Sequence, residues 1–172
     1  MEQVYHKGEY VRYASNGVCL IEDIRSDSPK GKGKEFYVLK PVGAPGSTIF
    51  VPLDNETLLG KMGRLPTREE VDQLILSTRD GRMAWVDNRK DRTALFQTLV
   101  KTSDLEGLMG LAGCIFQKKQ ELLAKGKKLS ASDESILRRA EGLIENELAF
   151  VLCLPLDQVR GYIQTKLNAP VS

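Results

Sequence analysis

Trp85 is the one tryptophan in a chain whose aromatic residues make up only 6%. It stands among cations: Arg79, Arg82, Arg89, Lys90 and Arg92. An indole beside positive charge suits stacking on a nucleobase, or wedging into a minor groove while the cations meet phosphates. The competing reading is an anchor packed under a loop between two helices, because Trp is mostly buried in folded proteins. A second cationic run, QKKQELLAKGKK over 117–128, sets Lys118, Lys119, Lys125, Lys127 and Lys128 against Glu121 alone. It reads either as a phosphate track or as a solvated helix end, where cations favour the C-terminal dipole. Each feature alone is weak. Together, in one helical region, they make nucleic acid the leading ligand class.

Catalytic chemistry has little to work with. The single histidine, His6, lies near the N-terminus at a predicted strand edge, and it reads as a surface residue rather than a general base. No GxSxG, P-loop or HExxH pattern occurs. Gly107, Gly110 and Gly113 recur every third residue, without the dinucleotide spacing or a preceding strand. They predict a glycine-lined helix face that a second helix approaches closely. The three cysteines, Cys19, Cys114 and Cys153, are widely spaced among apolar neighbours and read as reduced core thiols of a cytoplasmic protein. With one histidine and no CxxC, the ligand set for a structural zinc is missing. No enzyme activity, metal or cofactor is expected.

The 172 residues are 41% hydrophobic and 28% charged, ordinary values for a folded chain. The net charge of +2 excludes a histone-like polycation and leaves room for a local basic patch. No 18-residue apolar run predicts a membrane span. The opening MEQVYHKGEY has an acid at Glu2 and no apolar core, so no signal peptide is expected.

The texture changes near residue 60. Before it, EYVRY (9–13), VCLIEDIR (18–25), EFYVLK (35–40) and TIFVP (48–52) are rich in β-branched and aromatic residues, separated by Gly- and Pro-bearing turns. Short strands so punctuated predict a small barrel or strongly bent sheet. After it the apolar period becomes helical. Thr67–Glu70 forms a capping box, and Asp80-Gly81 ends the helix it opens. A second helix is predicted over 87–102 with Leu95, Phe96, Leu99 and Val100 inward. Ser103–Glu106 reads as another capping box, opening a helix with Leu105, Leu108, Met109, Ala112, Ile115, Phe116, Leu122 and Leu123 on its apolar stripe and Gly126 at its end. Ser130 starts a fourth helix and Pro155 a fifth. Residues 1–60 carry 7 basic and 8 acidic groups, and residues 61–172 carry 18 and 15, so the net charge of +3 falls on the helical part.

In this order the features resemble the CarD family of bacterial transcription regulators, also called CdnL-like. Lys7-Gly8-Glu9-Tyr10-Val11-Arg12-Tyr13 followed by Asn16-Gly17-Val18 is similar to the family's opening G-D-x-V-x-Y…G-V. Lys34-Glu35-Phe36-Tyr37-Val38-Leu39 and Ile49-Phe50-Val51-Pro52 follow. Gly81-Arg82-Met83-Ala84-Trp85 precedes the second helix, as the family's lone tryptophan does. Leu129-Ser130 opens a helix that closes on Glu147-Leu148-Ala149, like the family's L-S…E-L-A.

The resemblance implies an α+β chain of two domains: a small Tudor-like β-barrel over 1–60 and a bundle of about five helices over 61–172. It implies that the barrel docks on the RNA polymerase β subunit, partly strand to strand. The bundle would contact promoter DNA at the upstream edge of the melted bubble, weakly and without base-specific reading, and so modulate open-complex stability. Trp85, Arg89, Lys90, Arg92, Lys118, Lys119, Lys127 and Lys128 are the expected DNA contacts. Where relatives often carry arginine, this chain has Asp27 and Phe50, so Arg25, Tyr37, Ile49 and Phe50 are the expected polymerase contacts. Val86, Asp87 and Asn88 also stand where arginines often follow the tryptophan. A cytoplasmic monomer is expected, with the barrel's edge strand open to self-association. The rival is a protein-only interaction module whose bundle is structural and touches no DNA, a reading that a buried Trp85 favours.

Overall fold

A computed structural model of the chain describes residues 5–27, 33–78 and 83–168. It divides into two units, Met1–Leu65 and Pro66–Ser172. In the first unit, two-residue alternation builds an antiparallel sheet: β1 (Tyr10–Tyr13), β2 (Val18–Ser26), β3 (Glu35–Pro41), β4 (Ile49–Pro52) and β5 (Met62–Arg64), in the order β4-β3-β2-β1-β5. Gly17, at φ +72, turns the chain between β1 and β2 in a conformation that side chains disfavour. In β2 the register slips between Ile21 and Asp23. This bulge puts Glu22 out of step and lets Cys19, Ile21 and Ile24 all face inward. The bend wraps Val11, Tyr13, Cys19, Ile21, Tyr37, Leu39, Val51 and Met62 around one core.

The sheet runs past the boundary expected at residue 60. After the one-turn helix α1 (Glu56–Leu59), β5 returns to pair Tyr13 with Met62 and Val11 with Arg64. Three residues are too few to show a period in sequence, and their pairing partner lies about fifty positions upstream.

The second unit holds α2 (Arg68–Ser77), α3 (Arg89–Thr102), α4 (Leu105–Ala124), α5 (Ala131–Leu152) and α6 (Val159–Asn168), the last preceded by a single 3-10 turn. The starts follow their caps. Thr67 and Glu70 form the full capping box, Asn88 caps α3, and Ser130 caps α5. Helix α4 differs from the expectation: Asp104, not Ser103, is the cap, accepting from the Gly107 amide at 3.0 Å. Gly126, at φ +72, closes α4 in a Schellman arrangement, with its own amide on Leu123 and the Lys127 amide on Leu122. The break expected at Asp80-Gly81 lies outside the described residues.

Helices α4 and α5 are the spine of this unit. At one end Leu105 and Leu108 pack with Ile144, Leu148 and Leu152 against Val71 and Ile75 of α2 and Val159 of α6. At the other, Leu111, Cys114 and Ile115 pack with Ile136, Leu137 and Ala140 against Phe96 and Val100 of α3. Each of these Val, Leu, Ile and Phe side chains contributes about 1.5–3 kcal/mol on burial. The stripe of α4 is rotated from the expected one: Leu111 and Cys114 are core, whereas Phe116 and Leu123 are exposed. Leu95 of α3 is exposed as well.

The glycine-lined face is also not a helix contact. A Cβ at Gly110 or Gly113 would meet nothing within 4 Å. Only Gly107 is tight, where a Cβ would come within 2.8 Å of the Ser103 side chain at the entry to α4. None of the described helices is long and apolar enough to cross a membrane.

Candidate functional site

Trp85 sits in the approach to α3 and is half-buried. One side of its environment is the bundle core: the Phe96 ring meets the indole edge-on, at 5.8 Å between centroids and 67° between planes. Two cations lie over the ring, the Arg92 guanidinium at 4.5 Å and the Lys118 ammonium at 5.5 Å from its centroid. Such contacts add about 0.5–2 kcal/mol, more as water is excluded. The indole is therefore neither a fully buried anchor nor a free wedge.

The cations expected to meet phosphate fall into three groups. Arg89 and Lys90 are exposed in the first turn of α3, and Lys127 and Lys128 are exposed just after α4; no described carboxylate pairs with any of the four. Lys118 and Lys119 are partly covered, with Lys118 loosely paired to Glu121 at 3.9 Å and Lys119 bridged to Glu134 at 3.1 Å. Arg92 is different. It is 7% exposed and its guanidinium is bound on three nitrogens: Nε and Nη2 donate to the Asp133 carboxylate, and Nη1 donates to the carbonyls of Val86 and Asp87. An arginine so engaged is an interior group, not a phosphate contact. The helical period explains this: Arg92 lies four residues before Phe96 and eight before Val100, on the inward side of α3.

On the sheet, alternation sorts the residues expected to face the polymerase. Tyr37 and Ile49 turn inward. Tyr37 is 1% exposed and its hydroxyl donates to the Tyr5 carbonyl, while Ile49 packs against the same core. Arg25 and Phe50 face outward. Arg25 stands opposite Phe36, and Phe36 meets Phe50 edge-on with ring centroids 5.5 Å apart. The result is an outward aromatic pair beside the edge strand β4, with Phe50 54% exposed. Arg25 donates to Asp23 at 3.0 Å, and this hydrogen bond leads the causes that hold the Asp23 carboxyl below its usual range.

Residue-level reading missed Phe36 and Asp133. Phe36 was legible in principle, since Phe36 and Phe50 both alternate with core residues. Asp133 carries no local sign of its partner, because Arg92 lies 41 positions away.

The thiols divide by burial. Cys19 and Cys114 are buried, and burial pushes Cys19 up to about 11 and raises Cys114 as well. Cys153 is not a core residue: it is exposed, in a left-handed conformation at the end of α5. One thiol is therefore expected to react with a thiol-exchange reagent in the native protein, and three after denaturation. Rapid native titration of more than one would show that the barrel or bundle opens far more readily than its packing implies.

Residues 5–63 match the family model of the CarD-like/TRCF RID domain. The match spans all five strands and stops just short of the last residue of β5. It points to an RNA polymerase-interacting domain, and the aromatic pair of exposed Phe50 and half-buried Phe36 lies on the outer face of that domain's sheet. Residues 5–63 of this chain thus form a CarD-like/TRCF RID domain, a match consistent with a CarD-like family member.

Proposed function

We propose that the protein is a non-enzymatic bacterial transcription regulator working in the cytoplasm. Its first unit binds the RNA polymerase β subunit through the outer face and open edge of β3–β4. Its helical unit contacts promoter DNA at the upstream edge of the bubble and modulates open-complex stability. The observation that carries the reading is the RID-domain match over residues 5–63. The DNA half is supported by Trp85, half-buried with Arg92 and Lys118 over its ring, and by Arg89, Lys90, Lys127 and Lys128, exposed and without a carboxylate partner among the described residues.

The magnitudes fit a weak binder. Few phosphates are neutralised, so affinity for free DNA is low and falls with salt. Tethering to polymerase raises the local DNA concentration and makes weak contact effective. A tenfold change in bubble lifetime needs only about 1.4 kcal/mol. One base stacked on an aromatic ring contributes about 1–3 kcal/mol. Trp85→Ala is therefore expected to remove most of the effect on open-complex lifetime, measured with the polymerase of the same source, while polymerase binding persists. An unchanged lifetime would reject the indole as the acting group.

The packing of Trp85 on Phe96 favours one second reading, a protein-only module with a structural bundle. On that reading the full chain binds polymerase, yet charge reversal at Lys127 and Lys128 leaves open-complex kinetics untouched.

A further inference from the structure

We infer that Arg92 and Asp133 are positioning residues for Trp85: a buried clamp that fixes both the indole and the backbone leaving it. The inference deepens the proposed DNA contact and rests on that reading for its functional half.

Burying two opposite charges is costly, and an apolar pair of the same volume would commonly stabilise the fold as well or better. The pair calls for a reason beyond stability, and its geometry supplies one. Arg92 is 7% and Asp133 2% exposed. The guanidinium fork grips the carboxylate at 3.2 and 3.0 Å. Its remaining corner reaches the carbonyls of Val86 at 3.0 Å and Asp87 at 3.2 Å, the two residues that follow Trp85. The same planar group lies 4.5 Å from the centroid of the indole. One side chain thus holds the ring by its face and the chain behind the ring by its carbonyls.

The clamp is anchored at its far end. The Ser130 hydroxyl donates to Asp133 Oδ2 at 2.8 Å and accepts from the Asp133 amide at 3.1 Å. Ser130 is the cap of α5, and Leu129 before it is buried in the cluster that holds Phe96. The Leu129-Ser130 pair noted in the sequence therefore has a physical role here: it seats the carboxylate that seats Arg92. Lysine could not replace Arg92, because a point charge cannot fork onto a carboxylate, reach two carbonyls and still sit over the ring. A ring fixed before binding loses less freedom when it meets a base, which is how preorganisation raises affinity.

The full chain carries its own reporter, since Trp85 is its only tryptophan. Acrylamide quenching and emission maximum are measured for wild type, Arg92→Lys, and the apolar replacement Arg92→Met with Asp133→Leu. Binding of a duplex with a mismatched bubble is measured alongside, and thermal unfolding checks that each variant is folded. In both variants quenching is expected to rise about twofold with a red-shifted maximum, as a half-covered ring opens to water. Affinity for the bubble duplex is expected to fall about tenfold, within the range of one lost stacking contact.

Unchanged quenching in a folded variant would overturn the clamp, because Phe96 and the core would then hold the ring unaided. A freed indole with wild-type DNA affinity would overturn the positioning role. If the apolar pair does not fold, Arg92→Lys decides the same questions. If wild-type protein shows no response to the duplex while the variants free the ring, the DNA reading fails and the clamp stands.

Discussion

Asp133→Ala is expected to lower the stability of the helical unit by about 3–5 kcal/mol, the usual cost of leaving one member of a buried pair uncompensated. The loss has identifiable parts. Arg92 keeps its charge in a site that is 7% exposed, facing two carbonyls and no anion. The Ser130 hydroxyl loses its acceptor, and the first turn of α5 loses a negative charge from the positive end of the helix dipole. Against a typical total of about 5–15 kcal/mol for a domain, the change is large. Replacing both partners with apolar residues is expected to be near neutral, since no charge is then stranded. Urea unfolding followed by circular dichroism measures both. A single-variant loss below about 1 kcal/mol, the level of an exposed pair, would show that water reaches Arg92.

Phe50→Glu is expected to weaken binding to RNA polymerase by about 30-fold or more, near 2 kcal/mol, as for an exposed aromatic at the centre of an interface. Folding should hardly suffer. Phe50 is 54% exposed, and its neighbours Ile49 and Val51 keep the inward positions of β4. What is lost within the protein is the edge contact with Phe36, worth about 0.5–1.5 kcal/mol. Arg25→Ala should matter less, because an exposed arginine already paired with Asp23 contributes about 0–1 kcal/mol. Titration of the full chain against core polymerase gives both values. Wild-type affinity for Phe50→Glu would remove the outer face of the sheet from the contact.

The fold class and much of the element order were legible because their signals are local. Thr67 with Glu70 and Ser130 before α5 act within one helical turn, and the structure shows each side chain on its amide. The two-residue alternation of β3 and β4 likewise marks which residues share a face. The register between the two strands then puts Tyr37 and Phe50 on opposite faces of the sheet, since Phe50 stands opposite Val38 and Val51 opposite Tyr37.

Rotation of a helix about its axis is less local. The stripe of α4 has near-equivalent choices a turn apart, and Phe116 looked as apolar as Leu111. Which one enters the core is decided by Ile136, Leu137 and Phe96 packing from other helices. The same holds for the glycines, whose spacing suggested a helix contact that no neighbour makes.

Composition and spacing alone were enough to establish a β-rich first part, a helical second part, the caps at Thr67 and Ser130, and a single indole among cations. Tertiary structure alone decided that β5 completes the sheet, that Phe36 joins Phe50, and that Arg92 faces inward to Asp133 across 41 residues. The reason is one of range. Caps and periods are set by neighbours in the chain, whereas the partner of a buried charge is set by which helices meet. From sequence, Arg92 is one of five cations around Trp85; only packing separates it, buried over the ring, from Arg89 and Lys90, which are exposed.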